Sequence, residues 1–454
     1  MRLFHRTVAA AAFLCIFSLF TLAQAVPAQA REDFQAYWDN GVRFKSENLS
    51  VSFGGRAQFD TMWGWGNRDF EVNVNGGPFI DGTEFRRLRL FNAGEINKKV
   101  AWKVEIDFAG GKAAISSAYM RFRDVAAGTD ITIGNQKEPL QLDEMTSANY
   151  ITFMERSLMS TFYPGYSVGA LLTNNKLLDD KLSLAAGIFR PGEGRGAASG
   201  PGATEDGDYA ITLRATLAPI LEDKGEQVVH LGVGYRFHED PACGGSGSVA
   251  DPANTIVFPT TPSGAITARE CRYRARAGTH ATGTYALNTL DFDADSIQQL
   301  GFELAAQMGI VSVQGEYMLV FVSNDRQFNA ALNNTGEPRF HAWYVQASVF
   351  ATGEFRPYSG GKFGRVKPGN GLGKDGFGAI EVAFRVDSVN LTDRAEGVAG
   401  GNETNYTLGV NWYLTPNARI MTNYVLATFD ELALAPGLKE GHLQVVQSRF
   451  QVDF

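Results

Sequence analysis

From about residue 50 to the end of the chain, apolar and polar residues alternate with a period of two. In Trp102 to Phe108, Trp102, Val104, Ile106 and Phe108 share one side, and Lys103, Glu105 and Asp107 share the other. Tyr209, Ile211, Leu213 and Leu217 stand opposite Asp208, Thr212 and Arg214. Leu231, Val233, Tyr235 and Phe237 oppose His230, Arg236 and His238, and Ile380, Val382, Phe384 and Val386 oppose Glu381, Arg385 and Asp387. Successive side chains of a strand point to opposite faces, so each run predicts a strand with one apolar and one polar face. The last run places Val446, Ser448, Phe450, Val452 and Phe454 on one parity and Gln447, Arg449, Gln451 and Asp453 on the other. An alternating segment that finishes on an aromatic residue reads as the closing strand of a bacterial outer-membrane barrel.

About 16 strands are expected, beginning near residues 50, 82, 99, 114, 129, 166, 180, 207, 227, 298, 310, 340, 376, 402, 417 and 441. The segments after odd strands are mostly long (63–81, 138–165, 191–206, 239–297, 324–339, 391–401 and 429–440), and those after even strands are mostly short. This is the pattern of long outer loops and short periplasmic turns in an antiparallel barrel. Gly353 to Gly376 departs from it, being long on the turn side, and reads either as an extended periplasmic loop or as a slip in the strand count. Glu138 to Gly165 is too long for a hairpin and has no alternating partner, which predicts a segment folded inward to narrow the lumen. A loop lying over the mouth is the other reading.

The amino terminus adds an address. Arg2, His5 and Arg6 precede an almost wholly apolar stretch from Val8 to Leu22, and small residues follow at Ala23-Gln24-Ala25 and Ala28-Gln29-Ala30. This predicts a secretory signal peptide over 1–30, cleaved after Ala30 or alternatively Ala25, a lead-in over 31–48 and a barrel over 49–454. Cys15 lies inside the apolar stretch without a lipoprotein context. The chain has 454 residues, 20% of them charged, 50 glycines and a formal charge of −8. Its length could supply two or three soluble domains, but no helical period or linker stands out. No later apolar run is long enough for a spanning helix, so a membrane-crossing form must be a closed sheet whose backbone groups pair internally. Cys243 and Cys271 share one Gly/Pro/Thr-rich loop, and in an exported chain a disulfide between them is expected, with two free thiols as the other reading.

By parity Arg87, Arg89, Lys103, Arg121, Arg123, Arg214, Arg236, Arg385, Arg419 and Arg449 face the lumen. Glu105, Asp107, Asp208, Glu303, Glu316, Glu381, Asp387 and Asp453 face it too. Arg86 can turn inward only through a bulge or at the rim of the strand. Guanidinium forks match phosphate and carboxylate oxygens in pairs, so this set suits an anion path. The same residues could instead pair with one another across neighbouring strands. Arg272, Arg274 and Arg276 read as a solvated loop face able to draw anions to the mouth. Gly165-Tyr166-Ser167-Val168-Gly169 fits G-x-S-x-G, but a loop precedes it and a strand follows, against the strand and helix a nucleophile elbow needs. No metal motif, cofactor motif or nucleic-acid patch is present, and catalysis is not expected.

Several segments resemble the phosphate-selective porin O and P family: Gly54-Gly55-Arg56-Ala57-Gln58, Phe85-Arg86-Arg87-Leu88-Arg89-Leu90, Glu105-Ile106-Asp107-Phe108-Ala109-Gly110 and Gly134-Asn135-Gln136-Lys137-Glu138-Pro139. So do Thr146-Ser147, Phe153-Met154-Glu155-Arg156-Ser157, Gln314-Gly315-Glu316-Tyr317 and Leu408-Gly409-Val410-Asn411-Trp412-Tyr413-Leu414. The resemblance implies a homotrimer of 16-stranded barrels, each a passive channel with an anion path. It places Arg86 and Arg87 at central basic positions, Asp107 as an acidic partner of the anion, and Arg156 and Arg214 at further basic positions. The correspondence is looser around Lys137, and Arg89 stands where a tyrosine is expected, which leaves the solute open. The expected pore-lining set is therefore Arg86, Arg87, Arg89, Lys103, Asp107, Arg121, Lys137, Arg156, Arg214 and Arg236. Expected partners are outer-membrane lipid, phosphate or other small anions, and the barrel-assembly machinery acting through Phe454. A barrel serving adhesion without conductance, or a barrel hydrolase using Ser167, are the alternatives.

Overall fold

The computed structural model describes residues 34–39, 41–73, 78–191, 209–239, 241, 270–281, 285–290, 292–324, 336–373, 376–430 and 440–454. The signal segment 1–30 and its cleavage points lie outside the described residues. Sixteen strands form one closed antiparallel ring: β1 Leu49–Gly66, β2 Gly82–Ile96, β3 Val100–Asp107, β4 Ala114–Ala126, β5 Thr129–Lys137, β6 Tyr166–Leu177, β7 Leu182–Arg190 and β8 Tyr209–Glu222. They continue as β9 Gln227–Glu239, β10 Ser296–Met308, β11 Val311–Ser323, β12 Arg339–Phe350, β13 Ala379–Asp393, β14 Val398–Thr415, β15 Ala418–Asp430 and β16 Glu440–Asp453. β16 pairs with β1 from Leu443 opposite Gly66 to Asp453 opposite Arg56, which closes the ring. Each start lies within four residues of its expected place, the widest difference being Val398 against 402.

Closure follows from the alternation. Phe450 and Val452 are exposed on the outer face, whereas Arg449 and Gln451 between them are buried in the interior. Most strands repeat this across the middle of the barrel, so apolar side chains meet hydrocarbon and mainly polar ones face the lumen, with no unpaired sheet edge left in the bilayer. Towards the long-loop end Met318, Val320, Phe340, Phe429 and Leu443 turn apolar side chains inward onto the folded-in segments.

A short hairpin, Gln35–Trp38 and Val42–Lys45, precedes the barrel, and its second strand pairs with the first half of β1. The second half of β1 pairs with β16, and Phe454 sits where the two partners meet. Its amide donates to the Gly55 carbonyl at 3.0 Å and its carbonyl accepts from the Gly55 amide at 2.7 Å. A Cβ at Gly54 would stand 2.2 Å from the Phe454 carbonyl oxygen, so only glycine permits this approach.

The turns after even strands are short, such as 97–99, 127–128, 309–310 and 416–417, with 351–378 as the exception. Cys271 is buried and disulfide-bonded. Cys243, its expected partner, lies outside the described residues.

Candidate functional site

Loop 138–165 enters the barrel and does not lie over its mouth. Leu140, Leu142, Phe153, Met154 and Met159 are buried inside. A chain segment inside a pore must find partners for its own amides and carbonyls, and the polar face of the wall provides them. Glu316 on β11 accepts from the amides of Leu142 (3.1 Å) and Asp143 (2.7 Å), and Asp387 on β13 accepts from that of Leu158 (2.8 Å). Arg419 donates to the carbonyl of Ile151 (2.9 Å), Arg385 to that of Glu155 (3.0 Å) and Arg449 to that of Met154. Much of the inward arginine counted along the strands thus holds the loop in place.

Two further segments fold inward. From the long-loop end, residues 270–281, 285–290 and 292–293 carry Tyr273 and Phe292, which pack with Phe162 of the constriction loop and Phe340 of β12 at ring distances of 5.0 to 6.0 Å. From the opposite end, the long turn after β12 rises into the lumen through its described residues 356–363. Tyr358 meets His230 of β9 at 2.6 Å, Arg214 donates to the Gly361 carbonyl at 2.8 Å, and Phe363 packs with Leu142. The departure of Gly353 to Gly376 from the expected loop pattern is this inward fold.

The expected site residues separate into distinct groups. Arg86 and Arg87 both turn inward because the β1–β2 register shifts there: Gln58 is opposite Arg87 and Phe59 opposite Phe85, leaving Arg86 as the extra residue of a bulge. Arg86 grips both oxygens of Glu155, at 2.8 and 2.9 Å, and Arg449 reaches the same carboxylate at 2.6 Å. Arg87 donates to Gln58 at 2.8 Å and has no direct carboxylate partner among the described residues. Arg89 bridges Asp107 (2.8 Å) and Glu105 (3.0 Å), and Glu105 also takes Lys103 (3.0 Å) and Arg56 (3.0 Å). Asp107 is therefore engaged by Arg89, the residue standing where a tyrosine was expected.

The remaining members pair differently. Arg214 forms a two-point contact with Glu303 at 2.7 and 2.8 Å, and Arg236 meets Glu138 at 2.8 Å, both in buried positions. Arg156 and Lys137 pair with Asp143 and Glu144 within the constriction loop, at 3.3 to 3.4 Å. Arg121 donates to Thr132 at 3.1 Å and stands over the Tyr119 ring, with no carboxylate partner among the described residues.

Near the long-loop end a cavity of about 230 Å³ is lined by Arg86, Glu155, Arg274, Arg276, His280, Tyr285 and Arg385, among others. Arg274 and Arg276 stack on Tyr285 at 4.3 and 4.8 Å, and His280 meets Glu84 at 2.9 Å. Burial alone would raise the Glu155 carboxyl, but Arg86, Arg449 and Arg87 outweigh it and hold Glu155 well below the usual carboxylate range. Burial and the nearby Arg86 lower His280 from its ordinary value, against the pull of Glu84.

Sequence reasoning did not single out Glu155 as the partner of Arg86, Asp60 as the partner of Arg449, or Lys362 on the inward turn. Only the anomalous length of that turn signalled the last of these. Ser167 donates to Glu138 at 2.7 Å in the interior and not to a histidine, so its G-x-S-x-G setting holds no nucleophile and base pair.

Residues 58–454 match the family described as phosphate-selective porin O and P. Porin O of Pseudomonas aeruginosa is 25% identical over 419 residues, covering 88% of this chain and 88% of that protein. An uncharacterized protein of Caulobacter vibrioides is 24% identical over 449 residues, covering 96% of this chain and 80% of that protein. Among solved structures, the anion-selective porin from Comamonas acidovorans superposes with a TM-score of 0.50 at 11% identity, over 89% of this chain and 100% of that one. The outer-membrane channel DcaP of Acinetobacter baumannii gives 0.50 at 12% identity, over 90% and 99%. At those identities the likeness is one of fold, a barrel with a lumen. The family match runs through the whole ring of strands, and the chain belongs to the phosphate-selective porin O and P family, as a porin channel of the bacterial outer membrane.

Proposed function

We infer that this channel passes small solutes by passive diffusion and prefers anions, with phosphate-like oxyanions as the favoured class. One observation carries this reading. Among the described residues six lumen cations, Arg87, Arg121, Arg274, Arg356, Lys362 and Arg419, have no carboxylate partner, against three inward acids, Glu316, Glu381 and Glu403, that no cation holds. Glu105, Asp107, Glu138 and Glu303 are each held by arginine. The surplus of uncompensated charge is positive, in an enclosed space where charges act more strongly than in bulk water. The test is a planar bilayer with a salt gradient: the reversal potential of the wild type should lie on the anion side. A cation-side potential overturns this reading, and reconstitution without conductance favours the adhesive alternative.

Lys362 gives this preference a pH dependence. Enclosure, then the nearby Arg121, Arg214 and Lys137, lower its ammonium to about 8. A base loses its charge as pH rises through its pKa, so anion preference should fall between about pH 7 and pH 9. Lys362→Gln should remove that slope, and an unchanged slope in the variant would place the titration elsewhere.

A trimer fits the outer surface. Thr422, Ser448, Thr61 and Thr83 stand directly opposite one another across β15, β16, β1 and β2, a hydroxyl row on the membrane-facing side. Thr422 and Ser448 bond each other at 3.1 Å, and the small polar side chains of the row would let a second copy approach closely and share its remaining hydrogen-bonding capacity. Assembly is proposed to depend on Phe454 through its two backbone bonds to Gly55 and its aromatic ring. Deleting Phe454 should lower outer-membrane yield with export intact, and an undiminished yield counts against that role.

A further inference from the structure

We propose that Glu155 is a tethered counter-anion: it occupies an oxyanion site made by Arg86 and Arg449, with Arg87 beside Arg86 at the bulge, and a permeating anion must displace it. This rests on the anion-preferring reading and names the residue that sets the strength of binding at that site.

The geometry is that of a filled binding site. Arg86 Nε and Nη2 each take one oxygen of Glu155, the fork-to-fork contact that a guanidinium also makes with two oxygens of a phosphate. The other cations around it differ in their needs. Arg449 has a counter-ion of its own, Asp60, bound through two contacts at 2.7 Å. Arg385 likewise has Asp387 at 2.9 Å. For Arg86 and Arg87 among the described residues, the only carboxylate in direct ion-pair contact is Glu155, on Arg86. Without it, two inward guanidiniums at the bulge would share one wall with no counter-ion.

The site is open to solute. Glu155 retains 21% exposure of its side chain and lines the cavity together with Arg86, Arg274 and Arg276, so an anion drawn in by the loop arginines arrives at this carboxylate. Glu155 also belongs to the constriction loop and not to the wall, and its backbone carbonyl is pinned by Arg385. Its carboxylate can therefore swing away while the loop stays docked. A channel needs binding strong enough to admit an ion and weak enough to release it. A tethered carboxylate at high local concentration weakens the capture of passing oxyanions and keeps them moving.

The test compares wild type and Glu155→Gln in planar bilayers, reading the inhibition of chloride current by inorganic phosphate. The substitution keeps size and hydrogen bonding but removes the competing charge. Half-inhibition should need about tenfold less phosphate in the variant, the ratio expected when one close opposing charge is removed. Glu155→Cys, modified with an anionic thiol reagent after purification, provides a second measurement on an already assembled barrel. The unmodified thiol should behave like the glutamine variant, and modification should return the wild-type sensitivity. Equal phosphate sensitivity before and after modification overturns the proposal, as does equal sensitivity of wild type and the glutamine variant. If that equality occurs in a channel whose wild-type reversal potential is on the anion side, Glu155 is a structural tie and the anion reading stands. A cation-side wild type sinks both.

Discussion

Replacing Arg86 and Arg87 together by glutamine will lower the anion-to-cation permeability ratio about tenfold, equivalent to about 1.4 kcal/mol at the constriction. The two arginines face the lumen from one bulge, with Glu155 as the only carboxylate directly paired to either of them among the described residues. Their removal changes the local balance from positive to negative, because Glu155 remains. The reversal potential in a salt gradient should move toward the cation side. The shift should be largest near about 0.1 M ionic strength or below, where screening reaches only about 10 Å. Arg89→Gln should behave differently. Arg89 lies between Glu105 and Asp107, so its loss takes one ion-pair contact from each of two buried carboxylates and should reduce folded yield before it changes selectivity. A double variant of Arg86 and Arg87 with wild-type selectivity would mean that permeating ions never approach the bulge.

Excising the inward part of loop 138–165 and joining its ends with a short turn will raise single-channel conductance severalfold. The loop fills the lumen through Leu142, Phe153, Met154 and Met159, and its removal uncovers wall residues such as Glu316, Asp387, Asn411 and Arg419 to water. These are polar, so a wet lumen suits them and the barrel should persist. The rise should be partial, because the turn after β12 still enters from the other end through Tyr358 and Phe363. Shortening both segments should exceed either alone. Unchanged conductance in a folded barrel lacking the loop would place the limiting constriction at that turn.

The architecture was legible in the chain itself. Period-two alternation is a local property, set by the geometry of consecutive residues, so strand positions, inward and outward faces and the closing strand could all be read without knowing what packs where. The inward orientation of Arg87, Arg89, Arg214 and Arg236 followed from the same parity. So did the need for a bulge, or a place at the strand rim, to bring Arg86 inward; the length of Gly353 to Gly376 was visible as irregular, but its fold into the lumen was not. What parity could not supply was pairing. Arg214 meets Glu303 across 89 positions of sequence, Arg449 meets Asp60 across 389, and Glu155 reaches Arg86 from a loop that alternation does not describe. Which inward charges cancel and which stay available depends on strand register and on the path of the folded-in segments. Those follow from closure of the ring and the docking of loop amides and carbonyls onto the wall, interactions between residues far apart in the chain. The sequence by itself determined a porin barrel with a charged lumen; the tertiary structure alone decided that Arg86 holds Glu155, that Arg89 takes Asp107, and that Lys362 stands in the lumen.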